Sequence, residues 1–259
     1  MRAAALIPLL AGAWALVGAA AAAGIAPGDV TSDYVFMSRE TQAMQDDDAA
    51  NPGMLAVLAG AALWEAMPDA NKACAGCHGD AAASMAGVAT RYPAFDEGEG
   101  RAVDLEQRIN LCRTRHQSAP ALADESPELL ALAAFVARQS RGLPIAPPAD
   151  PRLASATAAG REIFERRQGQ LNLSCSQCHD ERFGRRLAGN VVPQGHSSGF
   201  PVYRLEWQSV GSLQRRLRAC MIGMRAEPYA YGAPEAVALE LYLMQRARGL
   251  PMETPAVRP

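Results

Sequence analysis

The chain has 259 residues, of which 49% are hydrophobic, and its 25 Lys and Arg side chains against 27 Asp and Glu give a formal net charge of -2. This length is enough for two domains, each with its own core. Because the charges balance and no Lys- or Arg-rich run is present, the composition argues against nucleic acid and anionic bilayers as partners.

Residues 1–23 have the pattern of a secretory signal peptide. Arg2 precedes an uncharged stretch, rich in Ala and Leu, that ends in small residues near Ala23. The stretch is almost long enough to span a bilayer, so an uncleaved membrane anchor is the alternative, but its many Ala and Gly residues make it only weakly apolar. We therefore predict cleavage near Ala23 and a mature protein that is exported and has no membrane segment.

Four of the six cysteines lie in two copies of Cys-x-x-Cys-His, the motif of c-type haem attachment. Two thiols one helical turn apart form thioethers to the two vinyl groups of a haem, and the following imidazole becomes the proximal iron ligand. A four-cysteine zinc site or two redox pairs are alternatives, but neither requires a histidine at the same place twice. We therefore predict two covalently bound c-type haems. Their attachment residues are Cys74, Cys77 and His78 in the first motif and Cys175, Cys178 and His179 in the second.

The rest of the chain repeats around these motifs. Each unit has a Gly followed four residues on by an aromatic residue, then the haem motif, a helical segment with a lone cysteine, and a closing helix that ends in Arg-Gly-Leu-Pro. No convincing strand is visible, so the pattern predicts an all-α fold. The repeated residues are Gly60 and Gly160, Trp64 and Phe164, Cys112 and Cys220, and the closing segments 131–144 and 238–251.

The repeat divides the chain into an N-terminal extension over residues 24–50, a first domain over 51–147 and a second over 148–259. The extension matches neither unit, and its acidic run, 46–48, is predicted to be a solvated face. A proline-dense stretch over 144–151 suits a semi-rigid link between the domains.

The repeated glycines carry a structural prediction. We expect Gly60 and Gly160 to lie where the first helix of each unit crosses its closing helix, because only a hydrogen side chain permits so close a backbone approach. Trp64 and Phe164 should pack beside these crossings.

Four further runs, together with the two haem motifs, carry a resemblance to a known family. They are 109–114, 187–196, 204–207 and 218–228. Each unit resembles a class I cytochrome c domain. From about residue 37 to its end, the chain resembles the SoxA family, the dihaem subunits of the bacterial thiosulfate-oxidising L-cysteine S-thiosulfotransferase.

The resemblance implies a fold of two tandem class I cytochrome c-like domains and a periplasmic enzyme. Its reaction would oxidatively couple thiosulfate to a cysteine of SoxY, the sulfur-carrier protein, and pass electrons to SoxX, a monohaem cytochrome c that forms a heterodimer with the chain. The resemblance assigns the active-site cysteine, which bears a persulfide, to Cys220 and the substrate-binding arginine to Arg216.

The distal iron ligands separate this interpretation from a plain electron carrier, which would use a methionine. Cys112 and Cys220 occupy matching places in the repeat, so we expect each to face its own haem, where a thiolate lowers the reduction potential. The predicted iron ligands are therefore His78, Cys112, His179 and Cys220. A disulfide between the two lone cysteines is the alternative. Other candidate ligands are Met221, Met224, His116 and His196.

Arg216 lies four residues before Cys220, on the same face of a helix. Its guanidinium would lower the pKa of the thiol and could bind the sulfonate oxygens of thiosulfate with two hydrogen bonds. Arg108 repeats this spacing before Cys112, so the spacing alone does not prove catalysis. A solvated basic face is the alternative, which we prefer for Arg215 and Arg218. Two rival functions stay open: a dihaem electron carrier and a dihaem peroxidase.

Overall fold

The structure is a computed structural model that describes residues 27–68 and 72–259, together with Met1 and Ile25. The predicted signal peptide lies outside the described residues, apart from Met1. Within the described ranges, no helix has both the length and the apolar character needed to cross a membrane.

The part of the chain before residue 148 contains six α-helices and two strands among its described residues. They are α1 (Arg39–Asp46), α2 (Met54–Glu65), α3 (Cys74–His78), α4 (Ala81–Ser84), β1 (Ala94–Asp96), β2 (Arg101–Val103), α5 (Leu105–His116) and α6 (Pro127–Arg138). The part after residue 148 repeats this order with additions. It contains α7 (Ala154–Glu165), α8 (Cys175–His179), β3 (Arg186–Leu187), β4 (Asn190–Val191), β5 (Val202–Arg204), β6 (Ser209–Gly211), α9 (Leu213–Gly223), α10 (Pro234–Arg246) and β7 (Ala256–Arg258).

The predicted glycine crossings are confirmed. Helix α2 packs on α6 and α7 on α10. A Cβ on Gly60 would lie 2.1 Å from the carbonyl oxygen of Ala131, and one on Gly160 would lie 2.0 Å from that of Ala238. Both distances are far inside van der Waals contact, so only glycine fits.

The aromatic residues of the repeat pack beside these crossings, as predicted. The ring of Trp64 lies 5.7 Å from that of Phe135, and the ring of Phe164 lies 5.4 Å from that of Tyr242. Phe135 and Tyr242 themselves follow the two crossing alanines by four residues. Each half is therefore a helical unit built on the same helix pair, which confirms the predicted all-α class.

Short strands are the main departure from the sequence prediction, which found none. In each half a two-stranded antiparallel hairpin, β1–β2 or β5–β6, leads directly into the helix of the lone cysteine. The C-terminal strand β7 joins the second hairpin in parallel with β5. Strands of two or three residues are too short to show the alternation on which strand prediction depends.

The helix of the lone cysteine begins in both halves at a polar N-cap. Asp104 accepts a hydrogen bond from the backbone N–H of Gln107, whose side chain accepts one in return, and Ser212 accepts one from the N–H of Arg215. Asp104 and Ser212 are 108 positions apart, the same offset as the two lone cysteines. The two hairpins and the two helices that follow them are therefore in register, residue for residue.

The two halves pack against each other through their closing segments. Pro144 and Pro251 form an antiparallel bridge, the N–H of Gly142 donates to the carbonyl of Met252 at 2.8 Å, and the N–H of Gly249 donates to that of Ile145 at 2.9 Å. Ile145 is only 1% exposed and belongs to a core cluster with residues of both halves. The proline-dense stretch therefore begins as a packed interface and not as a free spacer.

The N-terminal extension is bound to both halves. The N–H of Thr31 donates to the side chain of Gln194 of the second half at 2.8 Å, and the guanidinium of Arg141 of the first half donates to the carbonyl of Gln45 at 2.8 Å. The acidic run is exposed, as predicted, but Asp48 also pairs with Arg138 at 2.8 Å and with Arg141 at 2.7 Å. The extension therefore contacts both halves, the second through Thr31 and the first through Asp48.

Candidate functional site: a c-type haem pocket

The second haem motif is a short helix, α8, with both ends fixed by side chains. Ser174 and Gln177 form a reciprocal capping box at its start. At its end Asp180 pairs with Arg246 at 2.6 Å, and both side chains are only about a tenth exposed. The guanidinium of Arg246 in turn lies 4.4 Å from the centre of the Phe164 ring. The motif is thus held against α7 and α10.

His179 is oriented by a backbone acceptor. Its Nδ1 lies 2.7 Å from the carbonyl oxygen of Pro193, so Nδ1 carries the proton and Nε2 keeps its lone pair. Burial is the largest of the causes that lower the pKa of His179, which keeps the ring neutral at neutral pH. A Cβ on Gly195 would lie 2.9 Å from Nδ1, so glycine is required for this approach. A neutral imidazole with a free Nε2 is the form that binds iron.

A cavity of about 630 Å³ lies beside His179. Apolar side chains of α7, α9 and α10 make up much of its wall. Those side chains are Phe164, Leu213, Leu217, Leu239 and Leu243, and Cys175 lies among them. A cavity of this kind, with a thiol for attachment and an oriented imidazole, fits a c-type haem.

Cys220 and Arg216 both line this cavity from α9. Burial, followed by the neighbouring Cys220 thiol, raises the pKa of Cys175 to about 12. Cys220 therefore lies near the haem motif of its own half. In the first half burial raises the pKa of Cys74, and the Cys112 thiol adds to this rise. All six cysteines lie within the described ranges, and none forms a disulfide.

Arg216 differs from its neighbours on α9 in its charge environment. Within the described ranges it forms no ion pair, because no carboxylate oxygen lies within 4.0 Å of its guanidinium. Arg215 and Arg218, which the sequence placed on another face, do not line the cavity. The guanidinium of Arg215 lies 4.3 Å from the centre of the Trp207 ring, and that of Arg218 lies 4.7 Å from the centre of the Tyr231 ring.

The alternative iron ligands differ in their placement. Met221 is buried in a small cluster behind the cavity, and Met224 ends α9 outside it. His116 is exposed at the end of α5. His196 is buried and does line the cavity, with its Nε2 3.0 Å from the side-chain oxygen of Gln194 and its Nδ1 without a partner in the described structure.

The first half holds its motif more openly. His78 and Cys77 are exposed, and within the described ranges no hydrogen bond orients the His78 ring. Trp64 packs 5.6 Å from that ring and donates from its indole N–H to the carbonyl of Gly79 at 3.2 Å. Arg108, the counterpart of Arg216, pairs with Asp96 at 2.6 Å. The arginine of the first half is therefore neutralised.

Three residues of the pocket had no role predicted from the sequence, although Pro193 and Arg204 fall in runs that carry the family resemblance. Pro193 has no counterpart in the first unit, so no repeat marks its role. Asp33 belongs to the extension and reaches the cavity only through the folded chain. Arg204 also lines the cavity. A signal for Arg204 did exist, because it stands 108 positions after Asp96, the offset that relates the two lone cysteines.

Two cytochrome c-like domains, each with a Cys-x-x-Cys-His helix against a glycine-crossed helix pair, define the chain as a c-type cytochrome. The chain belongs to the SoxA/TsdA cytochrome c domain family, whose family model matches residues 59–145 and 159–252.

Two relatives and one solved structure are similar to this chain over most of its length. Two relatives named L-cysteine S-thiosulfotransferase subunit SoxA are those of Rhodovulum sulfidophilum, 39% identical over 89% of this chain and 80% of the relative, and of Pseudaminobacter salicylatoxidans, 37% identical over 88% and 80%. A crystal structure of SoxXA from P. pantotrophus matches with a TM-score of 0.85 and 32% identity, and covers 89% of this chain and 87% of the matched chain.

Proposed function

We propose that the chain is the catalytic subunit of an L-cysteine S-thiosulfotransferase that couples thiosulfate to a cysteine of SoxY, with SoxX as its cytochrome partner. The observation that carries this proposal is the placement of Cys220 and Arg216 on one face of α9, both lining the cavity beside His179, with no carboxylate of the described residues paired to Arg216. The names of the relatives supply the reaction class and the SoxX partner.

The reaction forms a sulfur–sulfur bond between the outer sulfur of thiosulfate and a cysteine sulfur. The bond takes the place of one S–H bond, so one proton and two electrons leave. A bound c-type haem supplies a one-electron acceptor, which gives a physical reason for two haems in the chain and a further one on SoxX. We propose two haems, one at each Cys-x-x-Cys-His motif, in domains that span 51–147 and 148–259 of an exported, periplasmic protein.

In the second domain, different side chains bind the haem, form the sulfur–sulfur bond and bind thiosulfate. His179 and Cys220 would hold the haem iron, and the Pro193 carbonyl fixes the His179 ring. Cys220 is the nucleophile, and as a persulfide it would react through its outer sulfur. Arg216 binds the sulfonate oxygens and offsets their charge as the bond forms. In the first domain His78 and Cys112 would hold the other iron.

Once the thiosulfate unit is bonded to Cys220, a thiolate of the carrier attacks that bond. The attack moves the thiosulfate unit to the carrier and returns the electron pair to the Cys220 sulfur. No net oxidation accompanies this second step, so all electron transfer belongs to the first.

The test compares Cys220→Ala with Cys112→Ala in the purified complex with SoxX. We expect Cys220→Ala to abolish conjugation of thiosulfate to the carrier, because the nucleophile is lost, and Cys112→Ala to retain conjugation at a reduced rate. The measurement is the mass increase of the carrier protein. Intact mass of each variant counts the attached haems and detects any extra sulfur on Cys220. Conjugation at the normal rate by Cys220→Ala would show that the chain is an electron carrier only.

A further inference from the structure

The second domain carries an arginine where the first carries a carboxylate. Asp96 is the last residue of β1 and Arg204 the last residue of β5, and each pairs across its hairpin with the first residue of the next strand. The two residues therefore occupy matching places in their hairpins, each before the helix that carries the arginine of its domain. In the first domain Asp96 forms an ion pair with Arg108 at 2.6 Å.

In the second domain the matching residue is a cation, which the charge of Arg216 repels. Burial and the neighbouring Arg216 guanidinium hold the pKa of Arg204 below its usual range. Both guanidinium groups line the same cavity as Cys220. Two adjacent arginines in a partly enclosed cavity are unfavourable in the empty protein, and a ligand with two negative charges relieves that cost.

The Arg204 side chain is buried but incompletely satisfied. It is only 12% exposed, and its Nε is buried with no hydrogen-bond partner in the described structure. Among the described residues its carboxylate partner is Glu206, which lies 3.0 Å away on the solvent side and is itself 63% exposed. An exposed partner of this kind neutralises little of a buried charge.

Other charged groups of the cavity do not pair with these two arginines. Arg258 has its own carboxylate in Glu253. Burial raises the pKa of Asp33 to about 6, its Oδ1 has no hydrogen-bond partner, and within the described ranges it forms no ion pair. The charges of Arg216 and Arg204 lower the pKa of Asp33, but among the residues that the structure describes no carboxylate that lines the cavity forms an ion pair with either arginine.

We infer that Arg204 is a second substrate-binding arginine, which acts with Arg216 to select a dianion, thiosulfate, over monoanions of the same shape. This inference rests on the proposed function, since it names a further residue of the same site. One guanidinium would bind the sulfonate group from α9 and the other from the end of β5. A site with two cations matches the two negative charges of thiosulfate. A site with a single arginine would bind a monoanion about as well as it binds a dianion.

The propionates of a haem are the other anions that a c-type pocket holds. The repeat argues against them as the partner of Arg204. The first domain has the same attachment motif and places a carboxylate, Asp96, at the matching position, where it pairs with Arg108 and Arg115. A cation at this position is therefore no requirement of haem binding in this fold.

The test uses the complex with both haems attached and titrates it, without carrier protein, with thiosulfate and with methanethiosulfonate, a monoanion of similar shape. We expect Arg204→Gln to weaken thiosulfate binding roughly ten-fold and methanethiosulfonate binding much less, since the variant loses a charge-assisted hydrogen bond to the dianion. Arg204→Asp restores the arrangement of the first domain and should weaken thiosulfate binding further, because the new carboxylate would pair with Arg216. Arg204→Lys keeps the charge and should retain most of the preference for the dianion.

Arg215→Gln is the matched control, because Arg215 also stacks on Trp207 but lies outside the cavity. An unchanged ratio of the two affinities in Arg204→Gln overturns the inference, as does loss of haem with unchanged affinity, which would assign Arg204 to a propionate. If Arg216→Gln still weakens thiosulfate binding in that case, the proposed function stands without Arg204. If neither variant changes thiosulfate affinity, the proposed function fails as well.

Discussion

The two haem motifs of the chain have the same five-residue pattern and different surroundings. In the second domain a carbonyl orients His179, Arg246 pairs with Asp180 at the end of α8, and a cavity of about 630 Å³ opens beside the ring. In the first domain His78 is exposed, and the arginine before the lone cysteine is paired with a carboxylate. The covalent motif determines where a haem attaches, and the surrounding side chains determine what that haem can take part in. Catalysis is therefore expected in the second domain alone.

Both domains share a glycine at the crossing of two helices. Substitution of this glycine is expected to have the largest effect on folding. Gly160→Ala places a methyl group 2.0 Å from a backbone oxygen of α10, so the two helices must separate. We expect a loss of about 3 kcal/mol in the free energy of unfolding, and a similar loss for Gly60→Ala in the first domain. Denaturant unfolding of the protein with both haems measures both values.

Gly223→Ala is the control for the glycine substitutions, because nothing lies within 4 Å of its would-be Cβ. A helix-terminal Gly→Ala of this kind should be neutral or stabilising by up to about 1 kcal/mol. If Gly60→Ala proved harmless while Gly160→Ala did not, the two domains would not share a helix crossing of equal tightness.

The difference between the domains is sharpest at their matched arginines. Arg216→Ala removes an unpaired cation from the cavity and should lower the efficiency of thiosulfate use roughly ten- to hundred-fold, the range expected for the loss of a charge-assisted hydrogen bond. Arg216→Lys should recover only part of it, because an ammonium keeps the charge but loses the planar pair of donors. The measurement is kcat/KM for thiosulfate with haem content checked in each variant.

Arg108→Ala is the counterpart in the first domain. It removes one partner of a carboxylate that Arg115 also binds, at 3.0 Å, so Asp96 keeps a cation and the effect on stability should be small. We expect thiosulfate use to stay near the wild-type value. An equal loss in Arg108→Ala and Arg216→Ala would mean that these arginines support their haem sites and do not bind substrate.

Much of the fold was predictable because the repeated positions hold residues with strong local conformational preferences. The glycine crossings, the closing helices and the haem motifs all follow from chain-local rules, and Cys220 and Arg216 do lie on the one helix, α9, that the spacing predicted. The hairpins escaped prediction because three-residue strands show no periodicity. The roles of Pro193 and Asp33 escaped because each depends on a long-range contact that leaves no spacing in the sequence.

Arg204 shows an intermediate case. Its position was visible in the sequence at a constant offset from Asp96, but the meaning of the exchange required the ion pair of the first domain as a reference. A repeat thus gives more information through the positions at which its copies differ in charge than through those at which they agree.

The smallest expected effect concerns Glu240, a buried carboxyl in the second domain that has no counterpart in the first. Glu240 of α10 is only 8% exposed, whereas Ala133 occupies the matching place of α6. Burial, with the carboxylates of Asp104 and Glu106 adding to it, raises the pKa of Glu240 well above its usual range. The folded protein therefore keeps a proton on the Glu240 carboxyl up to a higher pH than the unfolded chain does. The unfolded chain releases it near pH 4.5, so the stability associated with Glu240 is greatest below that pH and falls as the pH rises toward the folded pKa.

Glu240→Gln removes this cost. We expect the variant to be more stable than the wild type by about 1–2 kcal/mol at pH 8, since a ten-fold change in proton affinity between the folded and unfolded chain corresponds to about 1.4 kcal/mol, and to show little difference near pH 4. Denaturant midpoints measured across that range test the slope. Ala133→Gln is the reciprocal variant: it places an amide in the fully buried position of the first domain and should destabilise at both pH values alike, because no titration accompanies it. A Glu240→Gln variant whose advantage did not grow with pH would show that Glu240 is ionised in the folded protein and stabilised there by a contact with a cation.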